Sequence, residues 1–154
     1  MPKKIMQRTA SDNKYLHKDF HGAMSNGIEY LHKTYGEESA REYLRNFTRT
    51  YYAPLISDVK GRGLIALKEH FDNLYEVEGG SVEITFTKDE LVVKVHECPA
   101  VKHLRDNNIP VARLFYETSK TVNEAICEET DYTAEWNDGD REIGSSIQRF
   151  YRRV

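Results

Sequence analysis

Cysteine is scarce in this chain, with only Cys98 and Cys127. Two thiols cannot make a disulfide framework, and their spacing fits no zinc motif. Neither sign of charge is in excess. The 22 basic and 25 acidic residues leave a formal charge of −3, which argues against non-specific nucleic-acid binding. No apolar run approaches the ~18 residues that a membrane crossing needs. The opening MPKKIMQRTASDN is basic without an apolar centre, so no secretory leader is expected. A reducing cytoplasm is the matching expectation. There is no P-loop, G-x-G-x-x-G, G-x-S-x-G, heptad array or internal repeat. The acidic stretch 128–142 does not satisfy the D-x-[DN]-x-[DN]-G of a calcium loop.

What is present is a patterned stretch from Val82 to Pro99, VEITFTKDELVVKVHECP. Val82, Ile84 and Phe86 alternate with polar residues, and Leu91, Val93 and Val95 repeat the pattern. A period of two predicts paired, half-buried strands, with Lys88-Asp89 at the reversal. The strands lead into Cys98-Pro99. Proline suits the first position of a helix, so Cys98 falls at or beside its N-cap. A thiol there faces unpaired amides and the positive helix end, both of which favour thiolate. His96, two residues back, shares its strand face if the strand runs that far. The competing reading makes Cys98 a small buried hydrophobe at the strand–helix corner.

A chain of 154 residues predicts one domain, 1–154. It buries about 70% of its unfolded surface and needs no staple. Residues 1–10 are polar and expected to fray, 11–77 form a helical part, and 81–153 a sheet-centred part. Ser11-Asp12-Asn13 offer caps for a first helix. Leu16, Phe20, Ala23, Gly27, Leu31 and Tyr35 give it an apolar face, and Gly36 stops it. His17, His21 and His32 form a stripe on this helix, read either as an exposed polar stripe or as the lining of a pocket. Glu37 and Glu38 begin a second helix, with Tyr43, Leu44, Phe47 and Tyr51 on its apolar side. Arg41, Arg45 and Arg49 form a ridge within reach of Glu38 and Glu42. Tyr51, Tyr52 and Pro54 are expected to end it. Tyr43, Tyr51 and Tyr52 either wall a pocket or pack in the core with hydroxyls at the rim.

Asp58 is a candidate cap for a third helix carrying Leu64, Leu67, Phe71 and Leu74, and Gly79-Gly80 breaks the chain before the hairpin. After Pro99 a short helix runs to Asn107-Asn108, and Pro110 is expected to open another ending at Cys127. The dipole at that end raises a thiol pKa. Tyr132, Ala134 and Trp136 mark a third strand, and Ser146–Arg152 a fourth, with Ile147, Phe150 and Tyr151 apolar. The fold class is α+β: N-terminal helices, then β-β-α-α-β-β with a four-stranded, mainly antiparallel sheet and helices on one face. The space between sheet and helices suits a small ligand.

The segments VVKVHECP, AICEETDY and GSSIQRFYRR, with GIEYLHKTYGEESA more weakly, give the chain from about residue 20 onward a pattern. It resembles the L-2-amino-thiazoline-4-carboxylic acid hydrolase family. That pattern often has a cysteine just before the phenylalanine of the closing segment. Here Ser145–Phe150 has none. The resemblance implies hydrolytic opening of a cyclic amidine, the 2-aminothiazoline ring, to a carbamoyl-cysteine. In that reading Cys98 attacks the amidine carbon or orients water, and His96 moves protons. Amides near Pro99 and Ala100 steady negative charge. Cys127, His103 and Arg149 are the candidate substrate-binding residues, the arginine holding a carboxylate. No cofactor or metal is expected, although His96, Cys98, His103 and Cys127 supply enough ligands for a zinc alternative. The layout also resembles ligand-binding domains of the 4-vinyl reductase type, which bind small molecules and need not catalyse. The expected partner is a small-molecule substrate or ligand, with nucleic acid and membrane excluded and a homodimer allowed.

Overall fold

The structure, a computed structural model, describes residues 18–154. The expected caps at 11–13, Leu16, His17 and the frayed start lie outside the described residues. Six helices and four strands follow in the order α1 (Lys18–Tyr35), α2 (Glu37–Tyr51), α3 (Ala53–Arg62), α4 (Leu64–Glu78), β1 (Ser81–Phe86), β2 (Glu90–Glu97), α5 (Pro99–Asp106), α6 (Glu117–Cys127), β3 (Tyr132–Asp138) and β4 (Ser146–Arg152). The architecture is α+β, as expected. Among the described residues no helix is long and apolar enough to cross a membrane.

The helical part differs from expectation in two places. α1 buries Gly22, Met24, Ser25 and Ile28, whereas Phe20, Ala23, Gly27 and Tyr35 of the expected apolar face are exposed, because α1 packs on its neighbours through the adjacent stripe. The second difference follows α2. That helix ends at Tyr51 with Tyr52 as its C-cap, as expected, but another helix follows at once and Pro54 belongs to it. It occupies the first turn of α3, where its missing N–H breaks no bond. Asp58 caps nothing; it lies inside α3 and pairs with Arg62. The helix carrying Leu64, Leu67 and Phe71 is therefore a fourth, set off from α3 by Gly63.

The sheet is fully antiparallel in the order β1-β2-β4-β3. Its inner face carries Val82, Ile84 and Phe86 from β1, and Leu91, Val93 and Val95 from β2. Phe150 joins them from β4 and meets Phe71 of α4, ring centres 5.5 Å apart. β4 spans the expected residues, but its apolar side chains do not share a face. Its inward residues are Ser146, Gln148 and Phe150, all buried, whereas Ile147 is exposed. The pairing of Leu91 with Phe150 sets this phase, because side chains directly opposite share a face.

Pro110 opens no helix. Residues 109–116 are irregular chain and turns, and α6 begins at Glu117. The Ser25 hydroxyl of α1 holds this connection, donating to Pro110 O and accepting from Ala112 N, both at 2.9 Å. Glu117 itself is 1% exposed. Arg41 Nε donates to it at 3.1 Å and the Thr121 hydroxyl at 2.6 Å. One arginine of the ridge on α2 thus reaches a buried acid rather than only its own helix.

Candidate functional site

A cavity of about 350 Å³ lies where α1, α2, α4, α5 and α6 converge. Its walls are mostly rings and aliphatics: Phe20, Phe47, Tyr51, Tyr52 and Phe115, with Met24, Leu44 and Val122. These positions follow from amphipathic helix faces that meet without filling the space between them. Phe47 stacks on Tyr51 at 5.1 Å and lies 6.3 Å from Phe20. Phe20 and Tyr51 are 44% and 60% exposed with half-buried Phe47 between them, so this aromatic row borders the cavity where it meets solvent.

The cavity also holds polar groups. His21 Nε2 lies 3.2 Å from Glu78 Oε2, both mostly buried. The Tyr52 phenol is pushed up to about 12, chiefly by burial and then by the nearby Tyr51 and Glu78. Burial raises Tyr75 as well, with Cys98 and Glu78 adding to it. Of the histidine stripe, His21 lines the cavity and His32 does not, so the stripe as a whole is not its lining. Of the tyrosine trio, Tyr51 and Tyr52 line it, while Tyr43 is exposed.

Cys98 is the N-cap residue of α5, in extended conformation. It lines this cavity and a second, smaller one of about 70 Å³ on the sheet side. The amides of Ala100 and Val101 do face its sulfur and pull its pKa down, without either closing a capping hydrogen bond. Burial outweighs them, with Glu78 adding a smaller push, and the net shift is upward. The expected thiolate is therefore disfavoured. An ion loses more on leaving water here than two partial charges return.

The other candidates lie elsewhere. The strand ends at Glu97, and the chain turns before Cys98 can share a face with His96. His96 belongs to the outer face of the sheet, its Nε2 3.0 Å from Glu83 Oε2, and lines neither cavity. Arg149 is on the same outer face, donating to Glu90 and Glu135 at 2.9 Å each. Cys127 is 1% exposed at the end of α6, and burial pushes its thiol up to about 12. His103 stands 6.3 Å from His21 ring to ring but lines neither cavity. His96, His103, Cys127 and Arg149 are thus not gathered around Cys98. Among the described residues no group of three or more His, Cys, Asp or Glu side chains could hold a metal ion, so the zinc alternative finds no cluster.

Residues that sequence reasoning passed over hold the rest of the site. Tyr75 falls one turn after Phe71 on α4, a stripe that a longer helical window finds. Glu78 was legible only as the lead-in to the Gly79-Gly80 break. Gln148 and Ser146 sit on the inner face of β4 and line the smaller cavity. No family model matches the chain, and no curated protein matches it either.

Proposed function

We propose that this chain is a small-molecule-binding domain, and that an apolar or aromatic ligand occupies the larger cavity. The observation that carries this is the aromatic row Phe20–Phe47–Tyr51, which lines one side of an unfilled space of about 350 Å³ and reaches solvent. Stacked rings give a planar guest contact area at little entropic cost, and volumes of this order hold small ligands. Catalysis is not needed to account for the site. Its thiol favours the neutral form, and the one histidine in its lining among the described residues already has a carboxylate partner.

The test uses N-phenyl-1-naphthylamine, an uncharged apolar fluorophore. Binding should raise its emission and the melting temperature of the protein. Ser119→Trp places an indole in the wall shared by both cavities and should abolish both effects. Absence of binding by the unaltered protein overturns the proposal.

Hydrolysis of a C–N bond in a cyclic amidine such as L-2-amino-thiazoline-4-carboxylate is the second reading. Its support is the placement of Cys98 against both cavities, with two helix amides turned toward its sulfur. In this reading the thiol adds across the ring C=N bond, its proton passing to the ring nitrogen. The ring C–N bond then breaks, that nitrogen leaving as an amine with a proton from the exocyclic NH2. Water hydrolyses the remaining Cys98 thioimidate, returning the thiol and giving the carbamoyl product. Turnover of that compound, lost in Cys98→Ser with binding retained, would establish it. No turnover at any pH ends it.

A further inference from the structure

We infer that the larger and smaller cavities are two ends of one ligand chamber, and that the smaller end selects an uncharged hydrogen-bonding head group, an amide or an alcohol, through Gln148 and Ser146. This rests on the binding function proposed above and assigns a chemical class to its ligand.

The two spaces share a wall formed by Tyr75, Cys98, Phe115, Thr118 and Ser119. Three of these side chains are small, so the partition is thin between its two rings. On the far side the floor changes character. Ser146 and Gln148 of β4 face the cavity opposite Val95 and Val93 of β2, all four buried. Packing alone would favour apolar residues at such positions, because a buried amide or hydroxyl with bonds unmade costs about 1–3 kcal/mol. The departure from binary patterning therefore marks a place where polarity serves something else.

The geometry shows what the floor offers. Asn123 Nδ2 donates to Gln148 Oε1 at 2.7 Å, and Gln148 Nε2 donates to Ser146 Oγ at 3.2 Å. These bonds fix the Gln148 amide but use only one of its two N–H groups and one of its two lone pairs. The second of each, with the Ser146 hydroxyl proton, matches the donors and acceptors of a carboxamide or an alcohol. The ionic groups of the chamber do not favour a charged head. Arg141 donates to Asp138 at 2.8 Å and lies over the Tyr116 ring at 4.1 Å. Arg113 is paired with Glu29 and His21 with Glu78, each at 3.2 Å. An anion or cation would have to leave water for a site whose charges are already matched. The volumes fit the division, about 350 Å³ for an apolar body and about 70 Å³ for a head.

The experiment displaces N-phenyl-1-naphthylamine with 4-phenylbutanamide, 4-phenylbutan-1-ol and 4-phenylbutanoate. The amide and alcohol should bind about tenfold tighter than the carboxylate, since an unpaired ion costs more to bury than a bonded neutral group. That preference alone could come from any apolar cavity, so the variants decide. In Gln148→Met the amide should weaken about tenfold more than the fluorophore does. Ser146→Ala, which removes one small hydroxyl, serves if Gln148→Met does not fold, and should weaken the alcohol in the same selective way. If the fluorophore binds but neither folded variant changes the amide or alcohol by more than about twofold relative to the fluorophore, the head-group inference is overturned and the binding function stands. Failure of the fluorophore to bind the unaltered protein removes both.

Discussion

Gly144 passes so close to Cys98 that a methyl group on it would stand 2.6 Å from the Cys98 Cβ and 2.9 Å from Val101 Cγ2. Its φ of +69° adds a conformation that other residues rarely adopt. Beside it, Cys98 N donates to Ile143 O at 2.9 Å, so the β3–β4 loop is stitched to the corner where β2 becomes α5. Gly144→Ala should cost about 3 kcal/mol from overlap and strain together. Gly27→Ala, mid-helix with nothing within 4 Å, should instead raise stability by up to about 1 kcal/mol. Urea unfolding of the two variants checks the contrast.

Cys98 should react slowly with iodoacetamide at about pH 7.5, with an apparent pKa above the ordinary thiol value near 8.5. Cys127 should not react until the protein unfolds, given its burial. An occupied cavity should slow Cys98 further. A rate profile against pH, with each modified thiol located by mass spectrometry, checks all three. Rapid alkylation at neutral pH would contradict the upward shift.

Stability should fall on the alkaline side. Cys98, Cys127, Tyr52 and Tyr75 all hold their protons more tightly folded than unfolded. Between the unfolded and folded pKa values the unfolded chain binds fewer protons, so the stability slope with pH is negative. The contribution is complete below about pH 8.5 and is lost as pH rises through the folded values, which reach about 12 for Cys127 and Tyr52. Cys127 alone accounts for on the order of 4 kcal/mol at the far end. Melting temperature against pH should therefore decline above about pH 9, and less steeply in Cys127→Ala.

Arg41→Ala should cost about 2–4 kcal/mol, because it strips the cation from a carboxylate that is 1% exposed and leaves it Thr121 alone. Arg45→Ala on the same ridge, paired with exposed Glu38, should cost under about 1 kcal/mol. Denaturant midpoints of both, with Arg41→Ala/Glu117→Gln as a rescue, check the difference.

The hairpin was legible because its information is local. Val82 to Val95 alternate with a period of two, and the register Val82↔Val95, Ile84↔Val93 obeys it. The helix break at Gly36 and the N-cap position of Cys98 were legible for the same reason. Pro54 and Pro110 misled in opposite directions, since proline serves the start of a helix and the interior of a loop equally well. The cavity was not legible. Its lining comes from α1, α2, α4, α5 and α6, and only packing brings Phe20 near Val122. The state of the Cys98 thiol depends on the same packing. Dipole and amides are readable from Cys98-Pro99, but the desolvation that outweighs them is a property of the folded interior. In β4, the apolar Ile147, Phe150 and Tyr151 fall on both faces of a period-two strand, so the sequence alone left its inner face open and pairing with β2 decides it.

The strand order places the two hairpins side by side, so that β2 and β4 meet in the middle although Glu90 and Arg149 are 59 residues apart. Each hairpin closes a short loop and can zip within microseconds, whereas the central seam must wait until a long segment containing α5 and α6 has been brought round. Refolding should be governed by that late docking of one ribbon on the other. The chamber floor, which needs β4 seated against β2, then comes into being only in the last step of assembly.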